Sequence, residues 1–298
     1  MIRSKMLTAS AARASVAKAT PEPVTRAPYR PGRHREARVW ENSPRRLVPQ
    51  VLLLTYRILR RWSRDPATLV QSLVMPAGFL AALDIVFGDV IKQVSGQSGL
   101  YGQVPLVALV GGMTGAIIGA ISVMRERDVG LLSRFWVVPM HRAAGLLSRM
   151  LAEWVRIVVI TLVVMGVGFA LGFRFEQGLP AAIAWVFMPA MFGVALSAAV
   201  LTLALYSSST LVPQATDIVV AVLMFFSIGF VPLDQYPSWL QPFVEHQPVS
   251  YTIEAMRGLS IDGPIARPMM FAVLWSAGIL ALCAVPLALG YRKASRRG

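Results

Sequence analysis

No charged residue occurs between Lys92 and Arg125, between Glu176 and Asp217, or between Arg267 and Arg292. Each gap exceeds the run of about 20 apolar residues that a helix needs to cross a ~30 Å hydrocarbon layer. A water-soluble core cannot absorb such blocks. The chain has 298 residues, 55% of them apolar and only 15% charged, where soluble domains carry about 25% charged residues. Lipid offers no partner to backbone N–H and C=O groups, so segments of this kind satisfy themselves as helices. The chain reads as an all-α integral membrane protein.

Six spans are expected near 66–88, 103–124, 151–172, 181–206, 215–233 and 269–290, forming one domain over 66–290. With the N-terminus on the cytoplasmic side, the inner segments hold 24 Lys/Arg and the outer ones four, namely Lys92, Arg174, Arg257 and Arg267. That asymmetry sets the orientation, with both termini cytoplasmic and a short basic tail at 291–298. No internal repeat and no matching pair of broken helices is visible, which removes the pattern of inverted-repeat transporters.

Residues 1–46 hold eleven Lys/Arg, three acids and five prolines without an apolar period. This composition predicts a disordered basic leader, either drawn to anionic headgroups or simply solvated. It lacks the apolar core of a signal peptide. Over 47–65, Val51, Leu54, Ile58 and Trp62 recur at helical spacing, while Arg57, Arg60, Arg61 and Arg64 form another stripe. An amphipathic helix lying in the headgroup plane fits, as does a helix packed on protein.

Chemistry inside the chain is hard to find. A single cysteine, Cys283, excludes an internal disulfide. His34, His141 and His246 are far apart in sequence and outside every span, so no metal site or Ser–His couple is expected. None of the four lysines follows a glycine, so no phosphate-cradling P-loop exists. Asp84 and Asp217 sit near opposite ends of their spans and cannot share a proton. No catalytic residue and no bound cofactor is expected. The basic charge lies at a membrane face without interleaved stacking aromatics, so nucleic acid is not the expected partner.

The informative loop follows the second span. It carries Glu126, Arg127 and Asp128, then Gly130, Leu131, Leu132, Arg134 and Phe135, and reaches Pro139 and Arg142. Charged flanks around a short helix with Leu131, Phe135 and Val138 on one face suit docking into a groove of a soluble partner. These residues, together with Gly229–Leu233, Tyr236-Pro237, Gln247–Tyr251 and Glu254–Gly258, resemble the two motif regions of type-2 ABC exporter permeases. The resemblance covers about residues 47–295 and is strongest to the daunorubicin-resistance type associated with export of phthiocerol dimycocerosate lipids. It implies a bacterial cytoplasmic-membrane permease whose 125–142 loop seats a coupling helix on a separate ABC ATPase, where ATP and magnesium would bind. It further implies a second six-span permease, sister subunit or self, and a hydrophobic cargo, either an envelope lipid or an anthracycline-type drug. A membrane scaffold that transports nothing is the competing class.

Other features stay open at this level. Gly111, Gly115 and Gly119 form two overlapping small-xxx-small steps, which let helices approach closely either as fixed packing or as a sliding surface. Glu153 and Arg156, three apart, either pair on one helix face or reach separately toward the interface. Over 234–268, Pro237, Trp239, Phe243, Pro248, Tyr251, Glu254 and Arg257 fall in short amphipathic runs. The resemblance implies a pair of external helices there, dipping into the outer leaflet to cap the pathway.

Overall fold

The uncharged blocks do become helices. The computed structural model describes residues 44–95, 98–128, 141, 143–207, 211–261 and 263–296, all within one compact unit. Among these residues there is no strand. Helix α1 (Pro44–Trp62) is followed by α2 (Pro66–Leu69), a π-helical turn (Val70–Val74) and α3 (Met75–Ser95). Then come α4 (Leu100–Asp128), α5 (Ala144–Leu171), α6 (Gly178–Tyr206), α7 (Leu211–Phe225), α8 (Gln241–His246), α9 (Pro248–Ser260) and α10 (Ala266–Arg296). The last helix thus continues through the described part of the predicted tail, and α1 starts three residues before the predicted 47.

Five stretches are long and apolar enough to cross a bilayer: Pro66–Gln93, Leu100–Glu126, Ala144–Leu171, Gly178–Tyr206 and Ala266–Tyr291. In α4 and α6, 67% and 61% of the apolar window is buried, against 11% in Pro66–Gln93 and 22% in α10. The bundle is therefore built on an α4–α6 axis, with the first and last spans facing outward. Glycine makes the axis tight. Ile157 of α5 lies against both neighbours, so that a Cβ at Gly112 of α4 or Gly193 of α6 would come within 3.0 or 2.6 Å of its side chain. Gly172, at φ 113°, ends α5 in the left-handed conformation, and the Phe173 N–H reaches back to the Gly168 carbonyl at 2.8 Å. This cap satisfies a carbonyl that the helix leaves orphaned.

The fifth predicted span departs from expectation. Instead of 215–233, the helix runs from Leu211 to Phe225, 15 residues, or about 22 Å at the α-helical rise. The chain then continues through turns over 226–232. Non-helical backbone at such depth is tolerated only where protein groups replace the lost ladder, and side chains do so here. The Tyr236 hydroxyl donates to the Phe225 and Ser227 carbonyls at 2.9 and 3.1 Å. Gln247 Nε2 donates to the Phe226 carbonyl and to Ser250 Oγ, and Ser250 Oγ accepts from the Ile228 N–H. The hydrophobicity that suggests a longer span belongs to residues packed on protein: Gly229 abuts Gly102, Leu106 and Ile253.

Two short helices, α8 and α9, fall within 234–268, and α9 is packed on protein. Val249, Tyr251, Ile253, Ala255, Met256 and Leu259 are buried, and the helix packs on α4, α6 and α10. Gln177 Nε2 ties its C-terminal end to the α5–α6 connection through the Gly258 and Ile261 carbonyls. Gln247, 4% exposed, is thus the hub between α7, α8 and α9. Replacing it by Leu removes the donor to the Phe226 carbonyl and to Ser250 Oγ, and we expect a stability loss of about 0.5–1.5 kcal/mol per lost bond, read as a lower melting point in detergent. An unchanged melting point would show that the cap is dispensable.

Candidate coupling site

The predicted docking loop lies between α4 and α5. Glu126 is in the last turn of α4, and Asp128 is the final helical residue. Gly130, Leu131, Leu132, Arg134, Phe135, Pro139 and Arg142 lie outside the described residues. What the structure shows is how the loop's two ends are held. Glu126 is ion-paired with Arg149, one turn and a half into α5. The His141 N–H donates to Gln50 Oε1 of α1 at 2.9 Å, and the Thr55 hydroxyl donates to the Ser148 carbonyl at 3.2 Å. The arms of the loop are therefore linked to each other and to α1.

The predicted stripes of α1 take definite places. Val51 is buried, and Leu54, Ile58 and Trp62 are half-buried, with the helix packed on α5. Arg57, Arg60 and Arg61 are exposed, as is Arg64, which lies in the turn after the helix. Trp62 Nε1 donates to Ser72 Oγ at 3.3 Å, and Ser72 Oγ donates to the Thr68 carbonyl at 2.6 Å, just before the π-helical turn. A side chain competing for a ladder carbonyl is the kind of contact that loosens a turn. Exposed Leu52, Leu53 and Tyr56 leave an apolar flank beside the arginines. The Thr68 hydroxyl donates to the Asp65 carboxylate at 2.5 Å and holds its pKa below the usual value.

Two features that the sequence left separate turn out to be one. Arg156 pairs with Glu153 on α5, and its Nη2 also donates to the carbonyl of Gly115 on α4. A Cβ on Gly115 would lie 2.6 Å from the Glu153 carboxylate and 2.7 Å from Arg156 Nη2. At Gly111 it would meet Ile160 at 2.7 Å, and at Gly119 the Glu153 carboxylate at 3.5 Å. The glycine stripe is thus the seat of α5, and its middle step admits a buried ion pair. Spacing allowed the pair as one of two alternatives; it gave no signal for the carbonyl.

In the stretch between α7 and α9, Trp239 (77% exposed) and Phe243 (51%) present aromatic surface, while Pro237 and Pro248 open the turn before α8 and the first turn of α9. Tyr251 stacks on Phe271 of α10 at 4.9 Å. Glu254 and Arg257 are half-buried on α9. Burial raises the Glu254 pKa above the ordinary carboxylate value, helped by Glu245 and opposed by Arg267 and Arg257. Among the described residues, no three His, Cys, Asp or Glu side chains converge to hold a metal.

Helices long and apolar enough to cross a bilayer, with the two ends of the α4–α5 loop tied together, describe a membrane-embedded chain. Residues 49–260 match the ABC-2 type transporter family, and the chain belongs to it. It is 50% identical over 255 residues to the probable doxorubicin resistance ABC transporter permease protein DrrC of Mycobacterium tuberculosis, covering 86% of this chain and 92% of that relative. The daunorubicin resistance ABC transporter permease protein DrrB1 of Streptomyces coeruleorubidus is 25% identical over 238 residues, 80% of this chain and 84% of its own. Similarity extends to the putative transport permease ycf38 of Cyanophora paradoxa, 24% identical over 221 residues, 71% and 74% of the two chains. The chain is thus a multi-pass membrane permease, and its family implies a partner ABC ATPase subunit.

Removing one partner of a buried ion pair leaves an uncompensated charge. Arg156→Met is therefore expected to cost about 3–5 kcal/mol, whereas Glu153→Gln/Arg156→Met together recover part of the loss; equal melting points for single and double variants would contradict this. Glu254 yields a pH test. Because its folded pKa is raised, its contribution is present below the ordinary value of 4.5 and lost as pH climbs through the folded value. Glu254→Gln should melt above the wild type at neutral pH, with the gap closing on acidification.

Proposed function

We propose that this chain is the permease half of an ATP-driven exporter of a large hydrophobic molecule. Two six-span halves, this chain with a sister subunit or a second copy, would form one pathway over two ATPases in the bacterial cytoplasmic membrane. The 50% identity to a resistance permease across 86% of the chain carries this reading. Helix α7, extended by the capped segment 226–232, serves as the sixth crossing, which returns both termini to the cytoplasmic side. Helix α1 lies along the inner surface, its arginines toward headgroups.

Work enters through the 125–142 loop. Pushed by the ATPase, Leu131 and its neighbours would shift the ends of α4 and α5 together, since Glu126 and Arg149 tie them. Packed helices pass such a shift on as a switch between two arrangements. The cargo reading has two branches. The resistance permeases named among the relatives favour an anthracycline-type drug, and the motif resemblance favours a complex envelope lipid of the phthiocerol dimycocerosate type. In either branch the spans, poor in fixed charge, suit sideways uptake from the bilayer.

Gly130→Pro or Leu131→Asp is expected to lower ATP-driven export on the order of 10-fold or more, the span of a typical coupling energy, while the chain still inserts with both termini inside. Liposomes containing the ATPase and the partner permease would measure export, and reporters at each terminus would measure insertion. Wild-type export in both variants would refute the coupling role. A scaffold would show no cargo-dependent ATPase activity at all.

A further inference from the structure

The exposed side of α1 is divided along its length. Residues four apart are neighbours on a helix surface, and two such rows stand clear of the protein. One runs Val48, Leu52, Tyr56, Arg60, and the other Pro49, Leu53, Arg57, Arg61. Each row begins apolar and ends in arginine. Val48, Leu52, Leu53 and Tyr56 are all more than half exposed. The opposite side, with buried Val51 and Thr55, packs on α5. Arg64 follows in the turn, and Pro66 opens the first stretch able to cross a bilayer. The arginines therefore stand where the chain meets the membrane, and lipid is the surface within their reach.

None of the four arginine side chains is in an ion pair or a hydrogen bond among the described residues. Little acid faces them. Asp65 is adjacent, and its carboxylate already accepts the Thr68 hydroxyl. Arg61 also lines the mouth of a cavity of about 600 Å³, where exposed Arg125 of α4 and Asp217 of α7 offset one another. The Glu126–Arg149 and Glu153–Arg156 pairs in its wall are likewise balanced. Only Asp65 is left to set against the four arginines, so the end of α1 keeps an excess of positive charge. A guanidinium fork matches two phosphate oxygens, and each arginine held near an anionic membrane surface strengthens attachment about five-fold. A zwitterionic headgroup offers the same phosphate but brings a cation that the cluster repels.

We propose that the exposed side of α1 binds an anionic phospholipid of the inner leaflet, its phosphate held by Arg57, Arg60, Arg61 and Arg64 and its acyl chains against Leu52, Leu53 and Tyr56. This rests on the placement of α1 along the inner surface and adds the class of lipid.

Cys283 is the single cysteine and is buried, so Leu53→Cys in a Cys283→Ala background takes one fluorophore beside the cluster. The labelled full chain is placed in phosphatidylcholine nanodiscs with a rising fraction of brominated phosphatidylglycerol or, in parallel, brominated phosphatidylcholine, whose bromines quench on contact. We expect phosphatidylglycerol to reach half-maximal quenching at a mole fraction lower by about three-fold or more. The preference should vanish at about 1 M salt, where the screening length is about 3 Å. Replacing all four arginines by Gln should bring the two curves together, whereas replacing all four by Lys, which keeps the charge, should preserve the order. The basic segment 1–46 is the same in every variant. Equal curves in the wild type would overturn the proposal while leaving α1 on the bilayer. A preference that survives the Gln replacements would overturn it too, by placing the selectivity elsewhere. So would its loss in the Lys variant, which would tie the effect to the fold of α1 rather than to charge. No quenching by either lipid would remove both the proposal and the surface placement of α1.

Discussion

A guanidinium buried among helices stands or falls by its acceptors, and Arg156 has two of different kinds: the Glu153 carboxylate on its own helix and the Gly115 carbonyl on the next. The carboxylate offsets the charge, and the carbonyl fixes where α5 sits along α4. Both contacts require that position 115 have no side chain, because a Cβ there would occupy the space of the carboxylate. From this seat the rest of the seam follows. Ile157 turns into the gap between Gly112 and Gly193, and Ile160 covers Gly111, so three helices interlock over two turns. In lipid, where no hydrophobic force pulls helices together, such close approach with satisfied polar contacts is the main source of association.

The same region joins the loop end of α5 to the middle of the bundle. Four and five residues before Glu153 lie Arg149, paired across to α4, and Ser148, whose carbonyl holds α1. A single face of α5 thus touches the loop's anchor, the surface helix and the buried pair in succession.

Most of the architecture was legible because lipid makes the code simple: uncharged blocks must be helices. Five of six spans appear where the sequence puts them, and of the two alternatives that the spacing of Glu153 and Arg156 left open, the structure shows pairing. The departure over 215–233 has a local cause: apolar residues there face protein rather than lipid, and composition does not distinguish the two surroundings. Only the positions of Gln247, Tyr236 and Ser250, polar groups amid an apolar stretch, hint at a broken helix. Likewise, Gly115 looks like any small-residue step, since nothing in its own spacing shows that the neighbour facing it is an arginine. The docking residues Gly130 to Arg142 rest on sequence, while their anchors Glu126 and Arg149 rest on geometry.

The abbreviated α7 has a mechanical consequence. A continuous helix yields cooperatively, because each rung depends on those beside it. In 226–232 the rungs are instead individual side chains, and a tyrosine or glutamine can release one carbonyl and take another or a water without unwinding a turn. Local openings of this kind lie at the low end of a protein's stability scale. Segment 226–232 is therefore a soft joint between α7 and the chain that follows, able to give locally while every long helix, and α9 packed among them, stays intact.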